Sequence, residues 1–138
     1  MTIDHREYDE ARRTLRRAKT AEPNPKDLLG VKKVPSLSVI PTAGLVQCGL
    51  AMVDGSEKYG RFNWREHPVK ATIYIDAAVR HLMAWTDMEE DAQDSGVHHL
   101  GHVMACCAIL LDAQEAGNLI DDRVPGPSPA MLERFKKD

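Results

Sequence analysis

An all-α fold is what this sequence predicts, on three observations. Apolar residues recur at three- and four-residue steps from about residue 42 to 55, from 69 to 88 and from 97 to 116. Aromatic residues are scarce (two Trp, three Tyr and two Phe), and Ala, Leu, Val and Met supply most of the apolar bulk, which favours packed helices over a β-sandwich. Gly55, Pro68, Gly96 and Gly117 punctuate the periodic segments where helices should stop or turn. At 138 residues the chain is expected to form one domain with a real core.

The elements follow in order. Residues 4–20 read as a charged helix, with Asp4, Glu7, Asp9 and Glu10 early and Arg12, Arg13, Arg16, Arg17 and Lys19 late, a polarity that complements the helix dipole. Few of its residues are apolar, so it should lie on the surface or against another subunit. Glu22-Pro23-Asn24-Pro25 breaks that helix, and residues 23–41, with prolines at 23, 25, 35 and 41, predict an extended lead-in with a short strand around Leu37–Ile40. Pro41 and a capping Thr42 open the next helix, which buries Leu45, Cys48, Ala51 and Met52 and stops at Gly55. A loop over 55–68 carries Glu57 to Trp64. The helix at 69–88 has an apolar stripe of Ile75, Ala78, Val79, Leu82 and Trp85 opposite Asp76, Arg80 and Asp87. An acidic loop turns at Asp94-Ser95-Gly96. The helix at 97–116 buries Val103, Cys107, Leu110 and Leu111. Residues 118–138 read as a surface tail closed by a short helix around Pro129–Phe135.

A net charge of −3 argues against a protein that coats nucleic acid. Three cysteines, two of them adjacent (Cys48, Cys106, Cys107), make no disulfide framework and fit a reducing interior. The start of the chain has no apolar run of signal-peptide type, and no segment nears the roughly 20 apolar residues of a membrane span. A soluble, cytoplasmic protein with no membrane partner is expected.

Chemistry concentrates between Glu57 and His102. His98 and His99 lie four and three residues before His102, and either pair can share a helical face suited to one metal; packing and a carbonyl bond are the plain alternative. Glu89, Glu90, Asp91 and Asp94 can hold Mg²⁺ or Mn²⁺ through oxygen. Their plain alternative is a solvated charge run, which a helix C-terminus disfavours by roughly 0.3–1 kcal/mol per acid. Lys58, Arg61, Arg65 and Arg80 bring positive charge fit for phosphate, with surface pairing the better account of Arg65. Trp64 can stack on a base whose edge Asn63 reads, or anchor the core while Asn63 caps a turn. No G-x-x-x-x-G-K loop, Cys-x-x-Cys knuckle, His-Asp dipeptide or nucleophile elbow appears.

Val39-Ile40-Pro41, the string Gly55-Ser56-Glu57-Lys58-Tyr59-Gly60-Arg61-Phe62-Asn63-Trp64-Arg65, then Ala78-Val79-Arg80-His81-Leu82-Met83-Ala84-Trp85, Asp94-Ser95-Gly96 and His99-Leu100-Gly101-His102 occur in an order that resembles one phage family. These are the MazG-like dATP/dGTP pyrophosphohydrolases, which include the MazZ type. The resemblance covers about residues 32–112, leaving a charged arm at 1–31 and a tail at 118–138. It implies an all-α MazG-like bundle working as a homo-dimer or homo-tetramer. It also implies Mg²⁺- or Mn²⁺-dependent cleavage of a purine nucleoside triphosphate to the monophosphate and pyrophosphate. Guanine substrates come first and dATP second, with dGMP supplied for a phage 2-aminoadenine pathway. The usual E-x-x-E and E-x-x-D helices of MazG proteins are absent from the two main helices; His99-x-x-His102 stands near the second. The resembling pattern has a glycine before the acid run, where this chain has Met88.

The expected machinery is therefore two or three cations held by a subset of Glu57, Glu89, Asp91, Asp94, His99 and His102. Lys58 and Arg80 would neutralise phosphate oxygens, and His81 would bind metal or orient the attacking water. Tyr59, Arg61, Asn63 and Trp64, with Lys58 and Arg80, would hold the substrate. The rivals are a non-catalytic nucleotide-sensing or oligomerising helical module, and a transition-metal binder using His98, His102 and Cys106.

Overall fold

The structure, a computed structural model, describes residues 5–20, 22–33 and 36–136. Asp4 and Pro35, and the side chain of Lys19, lie outside the described residues. The chain is mostly helical and divides into two compact units, Met1–Val39 and Ile40–Asp138.

In the first unit, α1 spans His5–Thr20, as its charge pattern predicts. The lead-in differs from expectation. Pro25–Gly30 is a helix, α2, because Asn24 and Pro25 act as a start signal as well as a break. The Asn24 carboxamide oxygen accepts from the Lys26 N–H at 2.9 Å, and Pro25 fills the first turn, where no N–H is needed. The expected strand at Leu37–Ile40 is instead a 3₁₀ turn over Leu37–Val39.

The second unit is built on three long helices: α3 (Thr42–Tyr59), α5 (Ala71–Thr86) and α6 (His99–Glu115), with α6 packed against both others. Helix α3 begins after Pro41, with no side-chain cap from Thr42. It also runs through Gly55, which keeps a helical backbone, and ends at Gly60 with φ 92°. Asn63–Glu66 forms a short helix, α4, entered through Phe62 in the left-handed region (φ 58°). The tail is not wholly peripheral. Leu119–Ile120 (β2) pairs in parallel with Val69–Lys70 (β1), in the register Val69 to Leu119 and Lys70 to Ile120. Asp122 then accepts from the backbone N–H and the hydroxyl of Thr72 at the mouth of α5. Ser128–Glu133 is the closing helix, α7. No helix among the described residues is long and apolar enough to cross a membrane.

Small side chains make the core. Ala51, Val97 and Ala105 pack with Cys48 and Met52, and Trp64, Val69 and Ala113 pack with Tyr74, Ile109, Leu110 and Leu119. No large side chain is fully buried among the described residues. The apolar stripe of α5 is correspondingly displaced: Ile75 and Ala78 are half-buried, but Val79, Leu82 and Trp85 are exposed, and α6 leaves Cys107 and Leu111 exposed as well. Leu45, expected inside, is exposed on α3.

Met88 has φ 72° and is 83% exposed. A left-handed backbone costs an L-residue roughly 1–2 kcal/mol, a cost that the glycine of the resembling pattern would not carry. Met88→Gly is expected to stabilise the fold by about 0.5 kcal/mol, since the glycine's extra unfolded-state freedom offsets part of the relief. Urea unfolding midpoints measure this, and a variant no more stable than the parent would remove the strain argument.

Candidate active site

A cavity of about 600 Å³ runs between α3, α5 and α6, with residues of α4 and Asp94 of the 87–98 loop also in its lining. Its polar lining is Asp54, Lys58 and Tyr59 from α3, Asn63 from α4, Tyr74, Arg80 and His81 from α5, Asp94, and His102 from α6.

Two carboxylates meet one cation at its wall. Lys58 Nζ donates to Asp54 Oδ2 at 2.8 Å, one helical turn away, and to Asp94 Oδ2 at 3.3 Å. These contacts raise the Lys58 pKa, and the Lys58 ammonium holds the Asp94 carboxyl below its usual range. Arg80 lines the same cavity and carries no ion pair among the described residues.

Three histidines stand beside this pair. The rings of His81 and His102 stack with centroids 4.4 Å apart and 9° between planes. Burial lowers the pKa of both, and for His81 the two neighbouring imidazoles lower it further, so both are neutral near pH 7. Ser95 Oγ sits 2.8 Å from His102 Nε2 and accepts from the Val97 N–H at 3.2 Å, which leaves its hydroxyl proton for the imidazole. His99, only 5% exposed, has Nδ1 at 2.8 Å from His81 Nδ1 and Nε2 at 3.3 Å from Glu89 Oε1.

The remaining acids also partner histidines. His98 caps α6: its Nδ1 accepts from the Leu100 N–H at 3.0 Å, so its Nε2–H donates to Glu90 Oε2, also at 3.0 Å. Asp91 pairs with His98 through an antiparallel backbone bridge. Two of the acids that follow α5, Glu89 and Glu90, thus have imidazole hydrogen-bond partners.

Of the expected metal set, then, Asp94 and His102 line the cavity. His99 and Glu89 lie behind His81, and Glu57 and Asp91 are exposed and outside the lining. Among the described residues no three His, Cys, Asp or Glu side chains form a ready metal cage. His98, His102 and Cys106 do not form one either, since His98 turns to Glu90 and His102 to Ser95. Among the substrate residues, Lys58, Tyr59, Asn63, Trp64 and Arg80 line the cavity, whereas the Arg61 guanidinium lies over the Phe62 ring at 5.4 Å.

Trp64 is 7% exposed and anchors the core with one edge on the cavity. Its Nε1–H donates to Asp112 Oδ2 at 2.6 Å, and Arg65 grips both oxygens of the same carboxylate at 2.8 Å. Asn118 donates to the carbonyls of Trp64 and His67, tying α4 to the start of β2. Arg65 and the Trp64 indole lower the Asp112 pKa to about 2. A carboxyl lowered on folding contributes stability above its ordinary pKa, 3.8, and loses it as pH falls toward 2. Asp112→Asn should therefore flatten the fall of the melting temperature between pH 4 and about 2. An unchanged acid limb would dismiss the clamp.

Asp54, Tyr74 and Asp112 were not among the residues the sequence singled out, and Ser95 was read only as part of the Asp94-Ser95-Gly96 turn and motif. The family model described as "dATP/dGTP diphosphohydrolase, N-terminal" matches residues 23–123. The chain belongs to this family. Neither a curated protein nor a solved structure matches it. The family description indicates diphosphohydrolase activity on dATP or dGTP, and the cavity lies wholly within the matched residues.

A divalent cation fits the donors present. Mg²⁺ is commonly held by one or two carboxylates together with substrate phosphates and water, rather than by an all-protein cage. Asp54 and Asp94 provide those two carboxylates on one cavity wall, with hard oxygen donors and room for phosphate beside them.

Proposed function

We propose that this protein is a metal-dependent nucleoside triphosphate pyrophosphohydrolase. It converts dGTP, and less readily dATP, to the monophosphate and pyrophosphate. The carrying observation is the convergence of Asp54, Asp94, Lys58, Arg80 and His81 on one nucleotide-sized cavity in a member of this family.

Asp54 and Asp94 would hold Mg²⁺ or Mn²⁺, which when bound polarises phosphate oxygens and acidifies water. Lys58 lies between the two carboxylates and, with Arg80, is placed to take phosphate oxygens as charge moves onto the leaving pyrophosphate. Neutral His81 is placed to receive the proton of the attacking water. Asn63 and Tyr59 would meet the base, while Trp64 is buried and would support the cavity wall rather than offer a free face. The supply of dGMP to a phage 2-aminoadenine pathway rests on the sequence resemblance alone.

Product analysis of each deoxy- and ribonucleoside triphosphate with Mn²⁺ tests the proposal. Monophosphate plus pyrophosphate, fastest with dGTP, is expected. No turnover from folded, metal-supplied protein would leave a non-catalytic nucleotide-binding module as the better reading.

The working form is a homo-oligomer in this proposal. Val79, Leu82 and Trp85 on α5, and Val46, Leu50 and Val53 on α3, are apolar, at helical spacing, and exposed in the single chain. A second copy is the occupant that gives these stripes a core, because the single chain buries no large side chain fully. Leu82→Asp should reduce the mass measured by light scattering to that of one chain. An unaltered oligomer would place the contact elsewhere.

A further inference from the structure

We infer that Glu89 and His99 are positioning residues that hold His81 as its Nδ1–H tautomer, leaving the Nε2 lone pair free toward the cavity as a proton acceptor. The inference rests on the hydrolase reading for its use of that lone pair, but the tautomer itself follows from the hydrogen-bond chain.

The chain starts at the carboxylate. An ionised glutamate only accepts hydrogen bonds, so the His99 nitrogen facing Glu89 Oε1 at 3.3 Å, Nε2, carries a proton. With His99 taken as a neutral imidazole, which has one N–H, its Nδ1 is then an acceptor. It lies 2.8 Å from His81 Nδ1, which must donate for the contact to be attractive. His81 then has its single proton on Nδ1 and none on Nε2. The opposite assignment would set the lone pair of His99 Nε2 against a carboxylate oxygen.

What the other edge of His81 meets is also on the page. Its Nε2 makes no hydrogen bond among the described residues, and no buried side-chain nitrogen or oxygen there lacks a partner, so Nε2 is accessible. His81 lines the cavity, and stacking against His102 fixes the plane of its ring. The proton acceptor is therefore oriented twice: in tautomer by Glu89 through His99, and in plane by His102. His99 is too buried to touch a substrate, and Glu89 stands beyond it, so both act through His81.

This gives Glu89 and His99 a role other than metal ligation. The Glu89 side chain is 42% exposed, so replacing it need not disturb the core. Ring-nitrogen NMR on the metal-free protein at pH 8 reads the tautomer without any turnover. The wild-type chain should show a protonated Nδ1 and an unprotonated Nε2 on His81. Glu89→Lys presents only donors to His99 Nε2 and should reverse both rings. Glu89→Gln keeps an oxygen that can accept the same N–H and should preserve the wild-type pattern.

With dGTP and Mn²⁺, Glu89→Lys should lower kcat on the order of a hundredfold while KM changes little, and Glu89→Gln should restore most of the rate. A wild-type His81 protonated at Nε2 would overturn the inference whatever the activity. The expected tautomer in a protein that turns over no triphosphate would instead overturn the hydrolase reading, and with it the use of His81 as a base. A loss of rate in Glu89→Lys with the tautomer unreversed would assign Glu89 to the metal instead.

Discussion

Gly101→Ala is expected to destabilise the helical unit by about 3 kcal/mol, near the top of the usual range for overpacking. Gly101 sits in the first turns of α6 against α3, and a Cβ there would lie 2.5 Å from the Gln47 carbonyl oxygen and 2.9 Å from its carbon. Both obstructing atoms are backbone, so no rotamer change relieves the clash and one helix must move. That movement opens the contact of Ala51 with Ala105 and Val97, the small-residue core between these helices. It also displaces His99 and His102, two and one positions away, so activity should fall with stability. Gly49→Ala is the control. It is also in a helix interior, but a Cβ there meets nothing within 4 Å, and replacing glycine should stabilise by roughly 0.5–1 kcal/mol. Thermal or urea unfolding separates the two. A Gly101→Ala chain as stable as Gly49→Ala would mean that α3 and α6 do not approach this closely.

The same close approach explains which parts of the fold were legible in sequence. The long helices were, because three- and four-residue periodicity marks a helix whatever covers it. Which face turns inward on α5 was not, because the most apolar stripe, Val79, Leu82 and Trp85, is exposed in the single chain. The inner faces instead carry Gly101, Ala105, His81 and Tyr74, residues whose hydropathy does not announce burial. Gly55 had a second consequence. Taken as the end of α3, it cut Asp54 away from Lys58; with the helix continued to Tyr59 the two become an i, i+4 pair facing Asp94. The acid run at 89–94 was read as needing a partner, with a cation as the candidate; in the structure Glu89 and Glu90 contact His99 and His98. Those pairings join residues eight and ten apart across a turn set by Gly96 (φ 66°), a closure that helical spacing does not encode. The strand pair β1–β2 escaped notice for the same reason, being two residues long and joined across the whole of α5 and α6.

The carboxylates set the other large effect. Asp54→Asn and Asp94→Asn should each lower kcat for dGTP on the order of a hundredfold or more, with a weaker apparent affinity for Mn²⁺. Each amide keeps the size of the side chain and a hydrogen-bonding oxygen for Lys58, but removes the negative charge that a divalent cation requires. Melting temperatures should change little, because Lys58 and Asp94 are open to solvent and exposed ion pairs contribute weakly. The double variant decides whether the two act together. Two groups that hold one cation form a unit, so removing the second after the first should cost little more activity, whereas independent roles would multiply the losses. Lys58→Met discriminates further: it frees both carboxylates, so apparent Mn²⁺ affinity should rise or hold while kcat falls. That split follows only if Lys58 serves the phosphates and the acids serve the metal. Equal loss of Mn²⁺ affinity in Lys58→Met and Asp94→Asn would reduce the three residues to a structural ion-pair cluster and move the metal site elsewhere in the cavity.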